Sequence, residues 1–329
     1  MNVVPSKCIV IGGGRISLSH IPHLISHPCV ELVGIIEPNL LLRFILRKLF
    51  RVKVYRSVGA LGNLQFDAVY VLTPPSSHFG IAKELLSDGK HIFLEKPMTL
   101  DPEESYELLN LAKKKKVQFS CGYVYRHHPI YREIKRIVSN EVYGSPIACK
   151  ISMRGNVIKA DSPVSWRRSG KGSGCLYDYG CHVIDLSIFL FGKPGSVECL
   201  SKEELFQAGV VDRFSVELNH NEFFDVQSFI TCDWADQKVR KAGLVLEITT
   251  NDHSIFCDGQ TIEVSGAKSK KYSIKDLDSD VGFYLRGEEF QRQTDEFFLS
   301  IANSTFSYLD AEDAVTTDAI ILEIYEKVI

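Results

Sequence analysis

Three consecutive glycines, Gly12-Gly13-Gly14, stand between an apolar run and a helix-patterned segment near the start of the chain. Nothing else limits the fold as much. Cys8–Ile11 is wholly apolar, as a strand buried in a sheet requires. From Ile16 to Ser26 the apolar residues Leu18, Ile21, Leu24 and Ile25 fall on one face of a helix. A tight strand-to-helix turn needs glycine first, and a second glycine lets the backbone approach a pyrophosphate. Gly12-Gly13-Gly14-Arg15-Ile16-Ser17 has the form G-x-G-x-x-G with serine in third place. Serine is small enough for the close helix–strand packing needed there. The helix start at Arg15 and Ile16 offers N–H groups and the positive end of the dipole to an anion.

The first third goes on alternating. Strands are expected at Val30–Ile36, Ala68–Leu72, His91–Leu94 and Val117–Cys121. Helices are expected over Asn39–Phe50, from Ser76 and Ser77 to about Gly89, and over Asp101–Lys115. Alternation of this kind predicts a doubly wound parallel sheet with helices on both faces, a Rossmann domain over residues 1–121. Beyond residue 122 the strands lengthen and alternate polar with apolar: Ile147–Met153, Val210–Leu218, Phe224–Thr231 and Leu244–Thr249. With helices at Pro129–Asn140, Gly282–Ala302 and Ala311–Val328, residues 122–329 read as an α+β domain with a large, mainly antiparallel open sheet. The last helix is expected to pack back on the first domain. The class is α/β plus α+β.

The chain has 329 residues, 45% hydrophobic and 24% charged, which suits two domains with proper cores. A net charge of −3 and a pI near 6.4 suggest neither a nucleic-acid binder nor a membrane-surface binder. No apolar stretch approaches the roughly 20 residues that span a bilayer, and no secretory signal is read. Nine scattered cysteines without a C-x-x-C pair imply free thiols in a reducing cytoplasm. His20, His23 and His27 share a helix face without an acidic ligand, and no metal site is read from Cys175 and Cys181. No metal is expected.

Glu37 ends the second strand, where an acid can accept from adenosine ribose hydroxyls and repel a 2′-phosphate. That favours NAD; Arg43 nearby leaves NADP use open, and a turn acid before Pro38 is the alternative. Glu95-Lys96-Pro97 follows the strand His91–Leu94. Its lysine and glutamate are costly to bury without partners, and proline ends the ladder. Alone, the tripeptide reads as a surface turn with an ion pair. In a sheet bearing the glycine loop it sits at a carboxyl edge, where such sheets bind ligands. Glu95 then reads as a structural partner beside the cofactor, and Lys96–Pro97 as a candidate cis bond. Asp178 and His182, four apart on the expected helix Leu176–Phe191, share a face. Imidazole can take a hydroxyl proton near neutrality; a surface ion pair is the alternative.

With these pieces in hand, the chain resembles the Gfo/Idh/MocA family (glucose–fructose oxidoreductase, inositol dehydrogenase, rhizopine catabolism). The matching segments are VIGGGRIS (10–17), DAVYVLTPPSSH (67–78), HIFLEKPMTLD (91–101), GYVYRHHP (122–129) and WRRSGKGSGCLYDYGCHVIDL (166–186). The resemblance implies that Lys96 lies beside the nicotinamide, that Asp178 and His182 complete the catalytic set, and that Thr73, Pro74 and His78 line the dinucleotide. Gly172-Ser173-Gly174 departs modestly from the family's three glycines. Trp166, Arg167 and Arg168 fall on an expected substrate loop, and Tyr123, Arg126 and His127 at the domain junction. For these, ordinary packing competes with substrate contact, although an arginine suits a carboxylate or phosphate. The implied activity is an NAD(P)-dependent oxidoreductase moving a hydride between nicotinamide and a carbinol or keto carbon of a sugar, polyol or sugar derivative, nucleotide sugars included. The family often forms dimers or tetramers, so a homo-oligomer is expected. Two alternatives stand: a glycoside hydrolase using NAD for transient oxidation, and a non-catalytic NAD(H) sensor.

Overall fold

The apolar runs of the first third have no polar side to turn to water, so each must be covered on both faces. The computed structural model describes residues 4–158, 172–239, 242–277 and 287–327. It builds β1 (Ser6–Ile11), α1 (Ser17–Ser26), β2 (Val30–Ile36), α2 (Leu40–Phe50), β3 (Val54–Tyr55), β4 (Ala68–Val71), α3 (His78–Ser87), β5 (His91–Leu94), α4 (Pro102–Lys115) and β6 (Phe119–Cys121). The six strands form one parallel sheet in the order β3-β2-β1-β4-β5-β6. The direction of winding reverses between β1 and β4, the switch point at which such sheets hold ligands. The edge strand β3 was not foreseen; at two residues it is too short to show a period.

One core packs against this sheet from α1. Val10, Ile35, Tyr70 and Phe93 meet Ile21 and Leu24 there, all at or near zero exposure. Tyr70 stacks on Phe93 with centroids 4.3 Å apart.

The chain then changes to α5 (Pro129–Ser139), β7 (Pro146–Arg154), a π-helical turn (Leu176–Gly180), α6 (Cys181–Phe191), β8 (Pro194–Glu203), β9 (Arg213–His220), β10 (Val226–Asp233), β11 (Gly243–Thr250), β12 (His253–Cys257), β13 (Thr261–Gly266), β14 (Lys270–Ser273) and α7 (Ile274–Leu277). Eight strands form a sheet in the order β14-β13-β12-β11-β7-β10-β9-β8. Every pairing is antiparallel except β7 with β10. Leu246, Ile151, Ile230 and Val216 are paired across four strands and make one buried row. Lys150, Val245, Glu247 and Phe256 alternate with such rows and stay exposed on the other face. The expected strand Val210–Leu218 begins later, at Arg213, because Val210–Asp212 turns to meet Glu203 and the segment before α6.

Helices α8 (Glu288–Asn303) and α9 (Leu309–Glu326) close the chain. The start expected for the first of them, at Gly282, lies outside the described residues. The molecule divides into two compact units, Met1–Val124 with Leu285–Val315, and Tyr125–Tyr284 with Thr316–Ile329. Helix α8 joins the first unit, placing Phe297 and Phe298 in the core around Tyr70, while the division falls within α9 rather than before it. Among the described residues no helix is long and apolar enough to cross a membrane.

Candidate active site

The glycine loop is built as its sequence demands. Gly12 has φ +103°, and a Cβ there would sit 2.5 Å from the Leu72 carbonyl oxygen. Its N–H donates to Ile36 O at 2.9 Å, tying the turn to β2. Gly14 has open space where its Cβ would be. Ser17 is fully buried, and its hydroxyl donates back to Gly14 O at 2.6 Å, so it packs like the missing glycine and pins the turn as well. No side chain caps the start of α1 at Ile16. The N–H groups near Arg15 and Ile16 therefore open onto the same cradle, which suits a pyrophosphate.

Glu37 is 7% exposed. Its Oε2 accepts from Gly13 N at 2.8 Å and its Oε1 from Asn39 N at 2.7 Å. It braces the glycine loop and the turn into α2, and each oxygen retains a lone pair for a further donor. Arg43 caps the carbonyls of Glu37 and Pro38 at 3.0 and 2.6 Å. The residues present thus fit a dinucleotide: a glycine-floored turn, an uncapped helix start and a positioned carboxylate.

Two expected cofactor contacts take other roles. His78 has no exposed surface. Its Nε2 meets Thr73 O at 2.8 Å and its Nδ1 meets Pro97 O at 2.9 Å, so it clasps two loops instead of lining the dinucleotide. Burial lowers its pKa, and a neutral imidazole donates through only one nitrogen at a time. Thr73 receives the Ser77 hydroxyl at 2.8 Å, which fixes the loop of Thr73 and Pro74 at the end of β4. Glu95 is 7% exposed. It accepts from the Lys96 N–H at 3.0 Å and pairs with His20 Nε2 at 3.0 Å. His20 is ringed by Tyr70, Phe93 and Phe290. The sequence offered His20 only as one of three histidines on a helix face, and the fold reveals its partner. Lys96 is half-buried just past β5, and its bond to Pro97 is cis.

In the second unit Asp178 and His182 lie where the π-helical turn meets α6, both half-buried. The expected regular helix Leu176–Phe191 is thus corrected in its first turn; single π-turns often mark functional segments. Gly174, at φ +94°, fits this entry because a Cβ would sit 2.7 Å from Val211 O. Tyr125 packs on the His182 ring with centroids 5.1 Å apart. Arg126, expected to reach substrate, is 4% exposed and forks the Asp185 carboxylate at 2.7 to 3.0 Å. It anchors the segment after β6 to α6, and reaching a substrate would break a fully buried ion pair. Tyr123 is 1% exposed and belongs to the core rather than to a substrate surface. Trp166, Arg167 and Arg168 lie outside the described residues. Cys175 is buried, which raises its thiol pKa well above normal and disfavours a thiolate there.

Residues 6–123 match the oxidoreductase family with an NAD-binding Rossmann fold, GFO_IDH_MocA, and residues 131–269 match the GFO/IDH/MocA C-terminal domain. Oxidoreductase P35 of Formosa agariphila is 34% identical over 180 residues, covering 50% of this chain and 56% of that protein. The first relatives are therefore spanned over little more than half their length. The scyllo-inositol 2-dehydrogenase (NAD(+)) of Bacillus subtilis is 26% identical over 82% of this chain and 79% of its own. A levoglucosan dehydrogenase solved with NADH and levoglucosan shares the fold at TM-score 0.87 and 20% identity, covering 98% of this chain and 97% of that one. With both domain models matched in order and the glycine turn, Glu-Lys-Pro segment and α6 entry in place, this chain belongs to the Gfo/Idh/MocA oxidoreductase family.

Proposed function

We propose that the protein is an NAD-dependent oxidoreductase acting on a carbinol or keto carbon of a sugar, polyol or sugar derivative. One observation carries the reading. A chain of this family keeps Lys96 after β5 and Asp178 with His182 at the entry to α6, together with a glycine turn that fits a dinucleotide. A sensor that only bound the dinucleotide would have no use for the three polar groups. The relatives' names, an inositol and a levoglucosan dehydrogenase, support the substrate class.

Gly12, Gly14 and the N–H groups at Arg15 and Ile16 hold the pyrophosphate, and Glu37 accepts from the adenosine ribose. That carboxylate also disfavours a 2′-phosphate, which is why NAD is assigned ahead of NADP. When bound, the dinucleotide supplies a hydride acceptor for the carbinol carbon. His182 takes the hydroxyl proton as the carbon–hydrogen bond breaks, and Tyr125 fixes its ring. Lys96 stabilises charge on the substrate oxygen, and Asp178 orients the imidazole or a neighbouring hydroxyl. Trp166, Arg167 and Arg168 remain the proposed substrate contacts. The open face of the eight-stranded sheet supports a homo-oligomer, and the nine free cysteines support the cytoplasm.

The test is Lys96→Ala, assayed with NAD and NADP over a panel of sugars, polyols and nucleotide sugars. Turnover is expected to fall by about 10²–10³, with NADH affinity held within a few-fold by fluorescence titration. Undiminished turnover removes Lys96 from the reaction.

A further inference from the structure

Leu40–Arg56 carries six basic residues (Arg43, Arg47, Lys48, Arg51, Lys53, Arg56) and no acid, in a chain of net charge −3. The average over the chain conceals this. Helix α2 within it buries little: Leu46 is 2% exposed and faces the sheet. Leu40, Leu41, Phe44, Ile45 and Leu49 are 73, 67, 55, 44 and 58% exposed. They recur at i, i+1, i+4, i+5 and i+9, one side of a helix. Single exposed apolar residues are ordinary, but five large ones along one helix face mark an interaction surface. Basic residues are interleaved with this stripe: Lys48 and Arg51 fall within it and Arg47 beside it. Lys48 Nζ lies 4.6 Å from the Phe44 ring centroid. Arg47 is held to Val54 O at 2.8 Å, and Lys53 and Arg56 follow in the exposed turn beyond the helix.

We infer that α2 and the turn after it dock the protein on an anionic lipid surface. Leu40, Leu41, Phe44, Ile45 and Leu49 enter the boundary between headgroups and acyl chains, and Lys48, Arg51, Lys53 and Arg56 meet lipid phosphates. Exposed Leu, Ile and Phe interleaved with Lys and Arg, with no acid among them, suit a surface where acyl chains lie just beneath anionic headgroups. A second copy fits poorly, since a two-fold contact would set six positive charges against six. The inference stands apart from the catalytic reading, because none of the docking side chains takes part in it.

Vesicle flotation of the 329-residue chain tests this, using phosphatidylcholine alone and phosphatidylcholine with about 30 mol% phosphatidylglycerol. The wild type is expected to float with the anionic vesicles at about 0.1 M salt, to be released at about 1 M, and to ignore neutral vesicles. Leu41→Glu/Phe44→Glu and Lys48→Glu/Lys53→Glu are each expected to cut the bound fraction about tenfold at unchanged thermal midpoint, since all four side chains are exposed. Wild type that never floats, or variants that float as well as wild type, would overturn the inference. So would a dimer, seen by light scattering without flotation and dissolved by Leu41→Glu/Phe44→Glu; that result gives the face to a second copy.

Discussion

One methyl group at Gly12 would place carbon 2.5 Å from a backbone carbonyl, at a φ that side chains avoid, whereas at Gly14 it would meet nothing within 4 Å. The two glycines therefore have different reasons to exist. Gly12 is needed by the fold, and Gly14 by whatever approaches the turn from outside. Gly14→Ala is expected to keep the thermal midpoint of the ligand-free protein within a few degrees while weakening NADH at least ~100-fold in a titration. Gly12→Ala should instead destabilise the first unit by roughly 1–3 kcal/mol. Wild-type NADH affinity in Gly14→Ala would mean that no ligand backs against that glycine. Glu95 makes the same kind of point. A glutamate next to the proposed catalytic lysine invites a catalytic reading, yet its oxygens are taken by His20 and the Lys96 N–H. It sets the lysine's backbone, leaving the proton traffic to others.

At the scale of the element, the entry to α6 rests on a close approach. A Cβ on Gly180 would lie 2.8 Å from Phe214 Cζ and 3.1 Å from its Cε1, with Phe214 1% exposed on β9. The helix can lie this near the sheet only because residue 180 has no side chain. Gly180→Ala is expected to cost about 1–3 kcal/mol by overpacking and to lower kcat, since His182 is two residues on. Adding Phe214→Leu should restore most of the urea midpoint; a double variant no better than the single one would place the strain elsewhere. The same elements explain what could be read from sequence. Largely apolar runs made β2 and β5 legible to the residue, and the helical period located α1, α4 and α5 within about a residue or two. Strand β8 is half-exposed along most of its length and β14 is Lys-Lys-Tyr-Ser, so neither carries a clear period. The π-helical turn has no period of its own in the sequence, and its last residue, Gly180, lies against Phe214 from β9. The site was readable as a list of groups but not as pairs. Arg126 finds Asp185 59 residues away, and His20 finds Glu95 75 away. Such partners follow from topology, which is why Arg126 read as a substrate contact.

For the whole molecule, burial of histidines links both units to pH in one direction. His128 and His220 in the second unit are lowered to about 4, burial being the main cause. His78 and His91 in the first are lowered too, again by burial. His220 shows why the neutral form is held. A carbonyl can only accept, so Nδ1–H donates to Gly192 O at 2.7 Å and Nε2 accepts the Ser187 hydroxyl at 2.8 Å. A folded pKa below the unfolded value of about 6.5 means that the unfolded chain binds more protons between the two values. The resulting stability is complete above pH 6.5 and is lost as pH falls toward 4. Each such group contributes a slope of up to ~1.4 kcal/mol per pH unit in that window. The urea midpoint is therefore expected to fall steadily from pH 6.5 to 4.5. His220→Gln, less stable at pH 7, should show a slope shallower by about one group's share. A midpoint flat across that range, or a variant slope equal to the wild type's, would show that these histidines protonate without unfolding cost. Any fall below about pH 5 would then have to come from the carboxylates.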